Sequence, residues 1–329
     1  MSAPLALTMG EPAGIGGEIA LKTWAARDAA TPVFFIIDDP ERLRGIAQRF
    51  GIACPVEAIA KPADAAAVFG RALPVLPLQV TEAQLGLPTP ETASAVVAAI
   101  ETAAAMTQAG TVSGIVTNPI QKSVLKGVGF AFPGHTEFLG HLAGAEPVMM
   151  LAVPGLRVVP VTVHLRLSDV PKVLTSEAII SHGRITAAAL KRDFGLTNPR
   201  LVVAALNPHA GEAGIMGDEE TRVIAPAIAA LRAEDIAVTG PAPADTLFHE
   251  AARRTYDAAL CMYHDQALIP LKTIDFARGV NVTLGLPFVR TSPDHGTALD
   301  IATKGVADPS SLMAALQLAA EMAARRAQA

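Results

Sequence analysis

The stretch LVVAALNPHAGE, residues 201–212, decides the fold. Its first six residues form a short apolar run with two adjacent valines, which reads as a strand inside a buried sheet. Pro208 closes the run, and a turn of small residues follows with His209 at its start. A strand that stops in such a loop is the building unit of doubly wound α/β sheets, where ligands bind beyond the carboxyl ends of the strands.

The same unit recurs along the chain. Comparable runs are PLALTM (4–9), VFFIID (33–38), GIVTN (114–118), PVMMLAV (147–153), RVVPVTV (157–163), ALCMY (259–263) and VNVTLGL (280–286). Between them lie amphipathic stretches at 90–109, 174–194, 218–233 and 308–327. This alternation predicts a largely parallel α/β sheet, with function concentrated after residues 118, 163, 206, 263 and 286. The Pro- and Ala-rich segment 61–80 reads as a surface excursion.

Size and composition agree with that class. A chain of 329 residues exceeds what one hydrophobic core usually supports, so two domains or one large α/β unit are expected. Half of the residues are apolar but only 4% are aromatic, a balance suited to helices packed closely on a buried sheet. The net charge of -5 and the lack of a Lys/Arg stripe argue against a nucleic-acid partner. No leader pattern or apolar run of spanning length is visible, so the reading is a cytoplasmic protein with no membrane partner. With only Cys54 and Cys261, neither a disulfide framework nor a Cys-based zinc site is available, and any metal must use His and carboxylates.

MGEPAGIGGEIA (9–20) imitates a dinucleotide fingerprint after the first strand, with Asp38 ending the second. Counting from Gly14 gives Gly16 and then Ile19 where a third glycine belongs, and Pro12 interrupts the turn. A tight turn that packs strand on helix is the preferred reading.

Eight histidines separate by context. His141, His182 and His249 lie in helix-like stretches and are set aside. His164, His209 and His264 each follow a predicted strand, and parallel strands bring such positions to one edge. Three imidazoles make a good divalent site with coordination positions left for water or substrate. Spacing alone leaves the alternative of three ordinary loop histidines. Asp265, beside His264, and Asp245, in PADTLFHE, are carboxylates that can orient a ligand imidazole, accept a proton or cap a helix. Lys272, Asn281 and Arg290 surround the strand at 280–286, while His135 and Thr136 open a helix in GHTEF (134–138). Helix amides, a hydroxyl, an Arg fork and a Lys together suit a phosphate or carboxylate.

In order and spacing, GEPAGIG, GHTEF, LNPHAGE, PADTLF, MYHDQ and GVNVTLGLPFVRTSPDHGTALD resemble the 4-hydroxythreonine-4-phosphate dehydrogenase family of pyridoxal 5′-phosphate synthesis. The resemblance runs from the first strand to the last helix. It implies a three-layer α/β fold of the isocitrate/isopropylmalate-dehydrogenase type, with two domains around a central cleft. The implied division is roughly 1–130 plus 266–329 for the first domain and 131–265 for the second. It also implies a homodimer whose active site lies at the subunit interface, and one divalent metal (Zn, Mg or Co) bound by ligands from both subunits. The metal histidines of the family fall on His164, His209 and His264, and its substrate contacts on His135, Thr136, Lys272, Asn281 and Arg290. NAD or NADP is the implied cofactor, with Asp294 and His295 as candidate contacts. Asp245, Asp265 and Lys272 remain open as the catalytic base. The segment AGIMGDEE (213–220) departs from the pattern of many relatives, which bears on local loop packing.

The implied substrate is 4-phosphooxy-L-threonine, a phosphorylated small molecule. Relatives acting on phosphorylated threonate or erythronate, or on a cis-dihydrodiol, would keep the three histidines. Outside the family, a metal-dependent hydrolase would turn over without nicotinamide, and a metabolite-binding module would bind without turnover.

Overall fold

A computed structural model of the chain describes residues 3–81 and 83–328. Twelve strands occur among them: β1 (Leu5–Thr8), β2 (Phe34–Asp38), β3 (Val56–Ala58), β4 (Leu73–Pro77), β5 (Gly114–Thr117), β6 (Val148–Val153), β7 (Leu156–Pro160), β8 (Leu201–Ala204), β9 (Val238–Ala242), β10 (Ala258–Cys261), β11 (Val280–Leu284) and β12 (Arg290–Pro293). All eight runs read from sequence contain a strand. The chain divides into two compact units, one reaching to Pro147 together with Leu286–Ala327, the other Val148–Gly285. The sequence reading had drawn these limits near 130 and 265.

In the first unit the strands run in the order β3-β4-β2-β1-β5-β12, every described pairing parallel. β1, β2 and β5 are buried at every position, which is why they read as unbroken apolar runs rather than as alternating ones. Ala6, Phe35, Ile37 and Ile115 pack with Val96, Ala99, Ile100 and Ala103 of the helix Ala93–Gln108. Alanines on that helix let it sit close to the sheet.

β4 corrects the sequence reading of 61–80 as a surface excursion. Leu73 and Val75 are fully buried, and β4 lies between β3 and β2. Pro74 and Pro77 argue against an inner strand because proline donates no ladder hydrogen bond. Here the strand keeps only five residues, and its pairing to β2 covers just Ile36–Asp38.

The glycine-rich loop after β1 is a packing device. Gly10 is left-handed at φ +70°, and a Cβ there would stand 2.6 Å from the Pro119 carbonyl oxygen. A Cβ on Gly14 would stand 2.8 Å from the Thr297 carbonyl oxygen. Both glycines let neighbouring backbone approach closely, which fits the tight-turn reading.

In the second unit the order is β11-β6-β7-β10-β8-β9. β7, β10, β8 and β9 are mutually parallel, whereas β6 is antiparallel to both β7 and β11. The β6–β7 connection is a tight hairpin through Gly155 at φ +83°, so this part of the sheet is mixed. The parallel set matters most for chemistry, because it brings the carboxyl ends of β7, β10 and β8 to one edge. No helix among the described residues is long and apolar enough to cross a membrane.

Candidate functional site

Two side-chain clusters stand where the sequence reading placed chemistry, one in each unit.

In the second unit, His164, His209 and His264 follow β7, β8 and β10 at their carboxyl ends. Three buried polar links tie these ends together. Thr162 Oγ1 donates to the Met262 carbonyl at 2.7 Å, joining the chain beyond β7 to that beyond β10. Gln266 accepts from Met262 N through Oε1 and donates to the Ala205 carbonyl through Nε2, each at 2.6 Å, joining the end of β10 to that of β8. Buried amides and carbonyls beyond strand ends need partners, and these side chains supply them.

The His209 loop is anchored by Glu220, a buried carboxylate. Its Oε1 accepts from Leu206 N at 2.9 Å and Asn207 N at 2.7 Å, and its Oε2 accepts from Asn207 Nδ2 at 3.0 Å. Glu220 opens a π-helical turn, Glu220–Ile224, a form that frequently marks functional positions. Beyond Pro208, residues 209–213 all have positive φ, His209 at +52° among them. His164 is likewise left-handed, at φ +49°. Such conformations cost of order 1–3 kcal/mol each for non-glycine residues and persist where the surroundings hold them. Two of the three candidate ligands therefore sit on strained backbone.

His164 and His264 are brought together, with ring centroids 5.8 Å apart. They line one cavity of about 220 Å³ with Thr162, Tyr263 and Asp265. His264 Nδ1 lies 2.7 Å from Asp265 Oδ1. An ionised carboxylate only accepts, so this contact puts the proton on Nδ1 and leaves the Nε2 lone pair available. His209 is exposed on its loop, and among the described residues of the single chain no group of three or more His, Cys, Asp or Glu is arranged to hold a metal.

Lys272 lies two turns along the helix His264–Ile274 and lines a second cavity, of about 490 Å³, with His264 and Asp265. Asp245 is exposed in the turn Ala244–Thr246 after β9, and no described contact joins it to a candidate ligand. Asn281 lies on β11 with its Oδ1 buried and lacking a hydrogen-bond partner.

In the first unit the helix His135–Ala143 starts at the two residues singled out in GHTEF, with Gly134 as its N-cap. His135 Nε2 is buried without a hydrogen-bond partner. Burial first, then the charges of Arg290 and Lys122, hold its pKa well below the usual imidazole value, so the ring is neutral. Arg290 opens β12, is 3% exposed and donates from Nη2 to Thr117 Oγ1 at 2.6 Å. Burial pushes its pKa down to about 10, with Glu137 acting in the opposite sense, and the guanidinium stays charged at neutral pH. A neutral imidazole, a buried cation and the N-terminus of a nine-residue helix are a donor set whose chemistry suits an anion.

Asp294 and His295 follow β12. Asp294 N donates to Ser311 Oγ at 3.0 Å, while His295 Nδ1 lies 2.9 Å from the Gly296 carbonyl and its Nε2 is buried without a partner.

Sequence reasoning missed Thr117, Lys122, Glu220 and Gln266. Gln266 stood inside the quoted MYHDQ; Glu220 stood in GDEE, which reads as a solvated helix start.

Comparison with known proteins identifies the family. The family model described as "Pyridoxal phosphate biosynthetic protein PdxA" matches residues 29–319. A 4-hydroxythreonine-4-phosphate dehydrogenase from Methylorubrum populi is 57% identical, covering 98% of this chain and 95% of its own. One from Caulobacter vibrioides is 53% identical over 99% of both. The crystal structure of the Klebsiella pneumoniae 4-hydroxythreonine-4-phosphate dehydrogenase superposes with a TM-score of 0.88 at 37% identity, covering 98% of this chain and 100% of that one. With a family match over most of the chain, close relatives along its whole length and the same fold, this chain belongs to the PdxA family.

Proposed function

We propose that the protein is an NAD(P)-dependent, divalent-metal-dependent 4-hydroxythreonine-4-phosphate dehydrogenase of pyridoxal 5′-phosphate synthesis. It oxidises the C3 hydroxyl of 4-phosphooxy-L-threonine to a ketone. The product, 2-amino-3-oxo-4-phosphooxybutanoate, is a β-keto acid that loses CO2 to give 3-amino-2-oxopropyl phosphate.

The anion cradle carries the reading. Arg290 is buried, charged and hydrogen-bonded to a hydroxyl, and His135 offers an unsatisfied ring nitrogen beside it. A phosphate dianion satisfies both groups, and holding it fixes C3 relative to the catalytic groups. His135, Thr136, Lys272, Asn281 and Arg290 are the proposed substrate contacts. This demand for a phosphate disfavours a cis-dihydrodiol as substrate.

The donor set in the second unit fits a divalent ion that accepts nitrogen ligands. Two imidazoles face one cavity, and Asp265 sets the tautomer of one of them. His164, His209 and His264 would hold the ion. A set shared between two subunits requires no complete group within one chain. When bound, such an ion would supply Lewis acidity for oxidation of the C3 alcohol, and a bound nicotinamide would supply the hydride acceptor. His295, with its unsatisfied buried Nε2, and Asp294 are the proposed cofactor contacts. Among the candidate bases Asp245, Asp265 and Lys272, Lys272 and Asp265 line a cavity with His264, and Asp245 does not.

A homodimer is part of the proposal. Leu167 (66% exposed), Ile215 (80%), Ile269 (63%) and Phe276 (76%) stand on or beside the segments that carry the candidate histidines, and burying such surface favours association. The isocitrate/isopropylmalate-dehydrogenase-like, three-layer description of the fold is also proposed, from the motif resemblance. A cytoplasmic location is supported by two free, buried cysteines.

The test is turnover of 4-phosphooxy-L-threonine against 4-phospho-D-threonate and 4-phospho-D-erythronate under identical conditions. Preference for the amino substrate is the expected result; preference for either hydroxy acid would move the protein to a sister activity.

A further inference from the structure

A separate cavity lies at the opposite end of the second unit's parallel strands. Its lining includes Arg157 near the start of β7, Arg200 and Asp257 immediately before β8 and β10, and Arg253 and Arg254 at the end of the helix Glu250–Arg253. The candidate histidines follow the carboxyl ends of those strands; this cavity sits at their amino ends. Its volume is about 180 Å³.

Four arginines and one aspartate line this space. Asp257 is committed to Arg200, accepting from its Nε at 3.2 Å and its Nη2 at 3.1 Å. Arg254 is paired with Glu250 on the exposed side. Arg157 and Arg253 are different. Both are half-buried, and among the described residues neither forms a salt bridge. Arg157 Nη1 donates only to the Asp257 backbone carbonyl, at 3.2 Å, and its guanidinium lies 4.7 Å from the centre of the Phe194 ring. Arg253 Nε is buried without any acceptor, and Nη1 of the same residue reaches toward Gly155 in the β6–β7 turn.

A buried donor without an acceptor is costly, and Arg253 Nε, on the same cavity as an Arg157 that donates to a carbonyl and shares the Asp257 charge with Arg200, calls for a further counter-ion. A planar carboxylate is satisfied by one Arg fork. Guanidiniums arriving from separate elements suit a tetrahedral anion whose terminal oxygens point in several directions. Surface arginines that merely hold turns would keep Nε in water or on a carbonyl, as Arg232 does with the Val238 carbonyl.

We propose that this cavity is a second anion site, distinct from the cradle at Arg290, that binds the phosphoryl group of a free phosphate or a phosphomonoester between Arg157 and Arg253.

The test is calorimetric titration of the full chain with inorganic phosphate and with glycerol 2-phosphate, at constant ionic strength in chloride buffer. Arg290→Ala is used as background so that the first cradle does not contribute. Saturable binding that weakens about tenfold or more in Arg253→Gln, with kcat unchanged when that substitution is placed in the wild type, is the expected result. Tighter binding of glycerol 2-phosphate assigns a phosphomonoester and tighter binding of inorganic phosphate the free ion; both uphold the site. No saturable binding below about 10 mM, or binding that Arg253→Gln leaves unchanged, overturns it. Should the Arg290→Ala background not fold, wild-type crystals soaked in tungstate give the answer independently. An anomalous peak within hydrogen-bond reach of Arg253 supports the site, and a labelled Arg290 cradle with nothing at Arg253 overturns it.

Discussion

Arg290 Nη2 donates to Thr117 Oγ1 at 2.6 Å across the adjacent strands β12 and β5, so a hydroxyl on the neighbouring strand helps to aim a buried cation. Arg290→Ala should raise KM for the phosphorylated substrate about a hundredfold, with a much smaller change in kcat. Steady-state kinetics read this directly, and an unchanged KM would remove Arg290 from the phosphate contacts.

His135 gives a pH dependence with a definite sign. Its folded pKa lies well below the unfolded value of about 6.5, so the unfolded chain binds the extra proton first. Its neutral form supports stability above that pH, and the support is lost progressively as pH falls below it. Between pH 7 and 5, His135→Asn should lose less unfolding free energy than the wild type does. Parallel curves from urea denaturation would contradict this.

Glu220 should matter well beyond its own position. Glu220→Ala removes the acceptor of Leu206 N and Asn207 N, which both donate to its Oε1. We expect a loss of about 2–3 kcal/mol in stability and a weaker response to added metal, since the loop bearing His209 loses its anchor. A variant with wild-type urea midpoint and metal response would show that the loop is held by other means.

Gly10→Ala tests the packing role of the first loop. The residue is left-handed and a Cβ would meet the Pro119 carbonyl at 2.6 Å, so the cost should exceed about 2 kcal/mol. If the loop instead cradled a cofactor, the variant would keep its stability and lose cofactor affinity.

Much of this molecule could be read from its residues. Unbroken apolar runs gave away the inner strands, because a strand buried on both faces has no polar positions to break the run. His135 was legible as a helix start within GHTEF. β4, β9 and β12 were not, since Pro74, Pro77, Pro241 and Pro293 each speak against a strand while edges, short pairings and irregular register accommodate them. The left-handed backbone at His164 and His209 was also hidden, because local sequence carries little signal for a strain that distant groups impose. Glu220 was hidden for the same reason: a carboxylate in an acidic run looks solvated until the loop that it holds is seen.

The most direct test of the account measures reduced nicotinamide when 4-phosphooxy-L-threonine and NAD+ or NADP+ are added to protein stripped of metal and then reloaded. The account predicts turnover only after a divalent ion is restored, and its loss in His164→Ala, His209→Ala and His264→Ala alike. No reduction by the reloaded protein, or equal reduction by the stripped protein and the three variants, would contradict it.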